Sequence, residues 1–197
     1  MASTASPYGL RPVNRVDGLP YAGAIQEFLI APAGIATNIF NGTIVALDTN
    51  GFIVLMTADG SDGTTNAFPA GTIGVFMGCE FVNAQGQVVH SQFYPAGTTG
   101  VVKAKVVTDP NVVFQAQLDD DGGQAILGAN TFLAAAQSTS TGNVQTGNST
   151  VALDATVQTA AAAFRIVGFA SPVGDDYPDV LVKFNPGQHS YLNAVGI

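Results

Sequence analysis

The sequence predicts an all-β protein: a single β-barrel or jelly-roll/sandwich domain with an extended N-terminal arm and a C-terminal tail, and at most one or two short helices. Three observations carry this. Short runs rich in β-branched and aromatic residues recur along the chain, each bounded by Gly, Pro, Asn or Asp. The 197 residues include 23 Gly and 10 Pro, which punctuate turns. Only Gln124 to Gln137, dominated by Ala and Leu, could hold a helix of any length. The length suits one domain with a real core, divided as an arm at 1–20, a β-domain at 21–185 and a tail at 186–197.

The arm, MASTASPYGLRPVNRVDGLP, is small, polar and interrupted by Pro7, Pro12 and Pro20, so it cannot be a regular helix. Tyr8, Leu10 and Val13 are anchors it can bury on docking. Tyr21 to Ala31 is a strand centred on Phe28-Leu29-Ile30, and Pro32 to Gly34 is a turn. Thr43 to Leu47 and Phe52 to Thr57 flank Asp48-Thr49-Asn50-Gly51, a hairpin signal. Residues 58–66, ADGSDGTTN, form a polar loop.

Gly71 to Asp121 is the organising stretch and predicts four strands in a row. Ile73 to Val82 is the first, and Asn83 to Gly86 turns into Gln87 to Tyr94. Pro95-Ala96-Gly97 stops that strand. Val101 to Val107 alternates, with Val101, Lys103, Lys105 and Val107 on one side and Val102, Ala104 and Val106 on the other, the period of a half-buried strand. Asp109-Pro110 breaks it, since proline offers no N–H to a ladder. Val112 to Leu118 resumes with Val112, Phe114, Ala116 and Leu118 on one face.

Residues 137–150, QSTSTGNVQTGNST, are low-complexity and predict a surface loop or long polar hairpin. Thr159 to Ala163 favours helix by propensity, whereas Phe164 to Phe169 favours strand. Val180, Val182 and Phe184 share a face of a closing strand from Asp179 to Asn185. The tail PGQHSYLNAVGI offers Tyr191, Leu192, Val195 and Ile197 as anchors.

Hydrophobic residues make up 47% of the chain and charged residues only 10%, against roughly a quarter in a typical domain. So little charge is expected either where much of the surface is covered by a partner or by other subunits, the favoured reading, or in a very stable β-protein with a polar but neutral coat. Six basic against fourteen acidic side chains give a net charge of −8, which argues against nucleic acid. The charge is uneven: residues 1–20 hold Arg11 and Arg15 against Asp17, while the rest holds four basic and thirteen acidic side chains. A basic arm on an acidic body is expected to dock on something acidic. The single cysteine, Cys79, lies beside Met77 and Phe81 and is expected in the core rather than reactive. The opening residues lack the pattern of a signal peptide, and no apolar run approaches a membrane span, so no membrane is expected as a partner.

No catalytic motif appears. HExxH, a nucleophile elbow and a phosphate loop with Lys are all missing, and His90 and His189 are far apart in sequence. The chain is therefore expected not to be an enzyme and to need no cofactor. Asp119-Asp120-Asp121 invites a calcium reading, but the closing Glu of an EF-hand loop is missing, so no metal is expected.

The opening ASPYGLRPVN, followed by DGLPYAGA, resembles the start of a family of tailed-phage structural proteins, the head-decoration or cement proteins, including those of marine and cyanobacterial podoviruses. GVFMGCEF, SQFYPAGT and VVTDPNVVFQAQ between Gly74 and Gln117 are similar to that family's middle, as are the Asp-Gly-Gly turn and Arg165-Ile166-Val167-Gly168. The resemblance spans most of the chain. It implies a virion protein made in the host cytoplasm, a homotrimer on the outer capsid surface that bridges subunits of the phage major capsid protein. Together with the charge split, it makes Tyr8, Leu10, Arg11 and Arg15 of the arm, and Tyr191, Leu192 and Ile197 of the tail, the expected capsid contacts. Removing residues 1–20 is then expected to abolish capsid binding and leave the trimer folded. The alternatives are a phage surface or fibre domain that binds host glycan, and a neck or tail structural component.

Overall fold

The computed structural model describes residues 4–21, 23–61 and 65–196. Among these, the chain forms β1 (Arg11–Arg15), β2 (Ile25–Ile30), β3 (Ile44–Leu47), β4 (Ile53–Leu55), β5 (Thr72–Val82), β6 (Val88–Ser91), β7 (Val102–Val107), β8 (Val112–Gln117), β9 (Asn130–Thr131), β10 (Phe164–Phe169) and β11 (Asp179–Phe184). Two 3₁₀ turns, Gln124–Ile126 and Ser190–Leu192, are its only helical pieces among the described residues. The protein is all-β, as its composition and periodicity predict.

The strands form two antiparallel sheets. The first has the order β1-β8-β11-β10-β9, and the second β2-β7-β5-β3-β4 with β6 on β5. Alternation explains how they pack. Val112, Phe114, Ala116 and Leu118 of the first sheet, with Phe164, Ile166, Val180, Val182 and Phe184, face Ile44, Ala46, Val75 and Val107 of the second. Phe184 is central to this layer, with ring centroids 4.9 Å from Phe164 and 5.8 Å from Phe114. Each such side chain contributes about 1.5–3 kcal/mol by burial.

The middle of the second sheet, β3 and the first half of β5, is buried on both faces. The two end strands, β2 and β4, come back into contact, so the sheet curls around a second cluster that includes Ile30, Val45, Ile53, Phe76, Tyr94, Val102, Ala104 and Val106. The curl needs an irregular β5. Gly74 has φ 147, where side chains are strained, and a β-carbon there would collide with the Val107 carbonyl.

Several local devices behave as their residues dictate. At the β3–β4 turn, Asp48 Oδ1 accepts the N–H groups of Asn50 and Phe52, both at 2.9 Å. The bond from Phe52 foremost holds the Asp48 carboxyl below its usual range. The low-complexity segment is a pinned polar turn. Its first residue, Gln137, is 3% exposed; its Oε1 accepts the Ile44 N–H (2.8 Å) and its Nε2 donates to the carbonyls of Ile44 (3.0 Å) and Met56 (2.7 Å).

Three expectations need correction. The four central strands are not a simple meander: β7 pairs with the opposite edge of β5 from β6, and at Asp109-Pro110 the chain leaves the second sheet, so β8 pairs with β1 and β11 in the first. The Gln124 to Gln137 helix is replaced by one 3₁₀ turn and β9, because β10 offers Asn130 and Thr131 a ladder. Thr159 to Ala163, which propensity alone leaves open, is irregular: Ala162 and Ala163 are buried and the Ala163 N–H bonds the Gly60 carbonyl.

The third correction concerns the arm. Residues 1–20 do not extend away from the body as far as they are described. Arg11–Arg15 is an edge strand of the first sheet, paired to β8, and Leu10 lies in the inter-sheet core. Upstream, the Ser6 N–H donates to Gln117 Oε1 (2.7 Å). The arm docks on its own chain because β8 would otherwise leave a free edge and Leu10 fills the core beside it. The tail is anchored too: buried Gln188 accepts the Phe68 N–H (3.0 Å) and His189 is 1% exposed.

Candidate docking face

Alternation decides what the outer face of the first sheet carries. With Phe164 and Ile166 of β10 pointing into the core, Arg165 and Val167 point out. With Val180, Val182 and Phe184 of β11 pointing in, Leu181 and Lys183 point out. Arg165 and Lys183 are direct cross-strand partners. Val16, Val113, Val167 and Leu181 line one depression of about 220 Å³ on this face, bordered by Asn14, Arg15 and Gly18.

The residues expected to contact a capsid take different places. Tyr8 is half-buried. Burial first, then the Asp179 carboxylate beside it, pushes its phenol up from its ordinary value. The Arg11 guanidinium lies 4.8 Å over the Tyr8 ring. Arg15 stands between two carboxylates, with Nη2 3.7 Å from Asp17 and Nε 3.7 Å from Asp109. Both arm cations are thus engaged within the chain. Leu10 is 2% exposed and cannot touch a partner without unpacking the core, which corrects its assignment as a surface contact.

In the tail, Tyr191 and Leu192 are exposed, and the Tyr191 hydroxyl donates to Gln26 Oε1 (3.2 Å). Ile197 lies outside the described residues. Arm and tail meet around Asp109: Arg15 pairs with it from the first sheet, and Tyr191 lines a shallow depression with it, together with Gly23 to Gln26 and Thr108.

Sequence reasoning did not single out Arg165 and Lys183. The outward position of Lys183 follows from the alternation of Val180, Val182 and Phe184, but its pairing with Arg165 depends on register. Asp119, Asp120 and Asp121 join Asp154 at one polar depression. Their oxygens serve the backbone, since Asp119 accepts the Ala155 N–H (2.9 Å) and Asp154 the Thr156 N–H (2.6 Å). Among the described residues, no group of three or more His, Cys, Asp or Glu is disposed to hold a metal ion.

The two histidines stay apart. Exposed His90 faces Glu80 across β5 and β6, Nδ1 to Oε2 3.4 Å, whereas His189 packs between Phe184 and Tyr191. Burial pushes the imidazole of His189 down to about 4. Cys79 is buried, and desolvation pushes its thiol up to about 12. Among the described aromatic residues, only Tyr191 is exposed. No helix among the described residues is long and apolar enough to cross a membrane. Compared with known proteins, the chain matches no family model, no curated protein and no solved structure.

Proposed function

We propose that this chain is a structural protein of a tailed-phage virion, a decoration or cement protein that binds the outer surface of the head as a homotrimer and bridges major-capsid subunits. The observation that carries this reading is the apolar depression lined by Val16, Val113, Val167 and Leu181 on the outer face of the first sheet, on a protein with few charged residues. Such a face suits area burial against a partner rather than chemistry on a small molecule. The converging arm and tail at Asp109 extend the same rim. Of the motifs that resemble those of decoration proteins, the opening one runs into β1 and Arg165 to Gly168 belongs to β10, while most of the middle ones lie in β5 to β7 of the second sheet.

The glycan-binding reading draws less support, because a sugar platform wants exposed aromatic rings and Tyr191 is the single one among the described residues. The test combines two measurements. Light scattering on the purified chain is expected to give a mass near three times 20.1 kDa. Co-sedimentation with shells of the major capsid protein from the same phage genome is expected to saturate at a fixed ratio. A ring of six or twelve copies would favour the neck or tail, and shells that carry none of the chain would overturn the reading.

A further inference from the structure

Arg165 and Lys183 face each other on the outer surface of β10 and β11. Like charges directly opposite on an antiparallel pair are unfavourable. The chain has fourteen carboxylates to offer, yet among the described residues neither cation has one within ion-pair distance. Arg165 is held instead by a neutral group: its Nε donates to Asn130 Oδ1 (3.2 Å), which also accepts from Asn185 Nδ2 (3.0 Å). That contact orients the guanidinium and leaves its charge uncompensated. Two residues further along each strand, on the same face, stand Val167 and Leu181, which line the apolar depression with Val113 and Val16.

The geometry points to a docking site for an acidic protein segment. We propose that the capsid subunit presents one or more carboxylates to Arg165 and Lys183 and places an adjacent aliphatic or aromatic side chain in the depression lined by Val16, Val113, Val167 and Leu181. Charge complementarity selects this occupant. A chain of net charge −8 repels an acidic surface over most of its own, so two uncompensated cations beside an apolar socket fix which face can approach. The cost of the like-charge pair in the free protein is then recovered on binding. This inference rests on the decoration reading and adds to it the face used and the chemistry recognised.

The test compares the wild-type chain with Arg165→Glu and Lys183→Glu in co-sedimentation with capsid shells across a salt series. Wild-type binding is expected to weaken as salt rises. Each single reversal turns the like-charge pair into an opposite one, so both variants are expected to melt no lower than wild type while binding shells at least tenfold more weakly. Variants that bind as well as wild type, or binding indifferent to salt, would overturn the inference and leave the decoration reading standing. Failure of the wild type itself to bind shells would remove both. A reversal that changes the mass of the free protein but not shell binding would assign the face to a second copy of the chain and likewise overturn the inference.

Discussion

Arg165 and Lys183, both cationic, occupy directly paired positions on β10 and β11. Their repulsion is a stability cost that a single charge reversal removes. Cross-strand charge pairs contribute about 0.2–1 kcal/mol, and roughly 1 kcal/mol moves the midpoint of a domain this size by about 2–4 °C. Arg165→Glu is therefore expected to raise the melting temperature by about 1–3 °C in low salt, with the gain shrinking in high salt. Calorimetry at two ionic strengths checks both parts, and a lowered midpoint would show that the guanidinium is needed by the fold.

Gly74 is the position where backbone geometry leaves least choice. Its φ of 147 and its closeness to the Val107 carbonyl exclude a β-carbon. Gly74→Ala is expected to cost about 3 kcal/mol or more, measured by urea unfolding, because strain and a displaced β7 add. Gly86 also has a positive φ, 78, but a β-carbon there meets nothing, so Gly86→Ala should cost far less.

Gln137 closes a gap in the backbone ladder with its side chain. Replacing it with Leu leaves the Ile44 N–H and the carbonyls of Ile44 and Met56 buried without those partners. The Ile44 carbonyl keeps the Met56 N–H (3.2 Å); each of the other two groups left without a partner costs about 1–3 kcal/mol, so Gln137→Leu is expected to lower stability by roughly 3 kcal/mol despite its similar size. Gln145, in the same low-complexity stretch but exposed, serves as control: Gln145→Leu should be nearly neutral.

His189 gives stability a pH dependence whose sign is fixed by burial. Its folded value, about 4, lies below the ordinary 6.5. Between those values the unfolded chain takes up a proton that the folded chain refuses, so stability falls as pH is lowered from 6.5 and this contribution levels off below about 4. Protonation of Nδ1 would also remove the acceptor of the Tyr191 N–H (3.2 Å). Urea midpoints at pH 7, 6 and 5 should decline for the wild type, and His189→Gln should flatten that slope.

The arm's position reverses the expectation for truncation. Deleting residues 1–15 removes β1 and withdraws Leu10 from the core. The shortened chain is expected to lose several kcal/mol, since a Leu-sized cavity alone costs about 2–5 kcal/mol. Deleting residues 193–197 leaves His189 and the 3₁₀ turn in place and should hardly change the midpoint. Circular dichroism melts of both truncations separate a structural strand from a free arm.

Local patterns along the chain reveal whatever depends on near neighbours. The alternation from Val102 to Val107 marks β7, Asp48 to Phe52 marks a hairpin, and Val180, Val182 and Phe184 mark the inward face of β11. Pairings between distant segments are not written in such patterns. Nothing near Asp109 says that β8 joins a different sheet from β7, and nothing near Phe164 says which residue will oppose Arg165. Leu10 was legible as an anchor, but a five-residue strand with a bulge between Pro12 and Asn14 is too short to show which of Tyr8, Leu10 and Arg11 faces inward. The Arg165–Lys183 pair follows only from the register of β10 on β11.

The pairing of β1 with β8 also bears on how the protein is made. During synthesis β1 emerges about a hundred residues before its partner, and β8 in turn waits for β11, more than sixty residues later. The first sheet cannot nucleate from its own N-terminal end, and most of its ladder closes only when the last strand is available. Topologies of this kind fold slowly, because long loops must close before their contacts repay the lost entropy. The nascent chain therefore carries β1 unpaired until β8 is made, and then an open edge of β8 until β11 follows, intervals in which crowded production in a cell favours chaperone capture over spontaneous association.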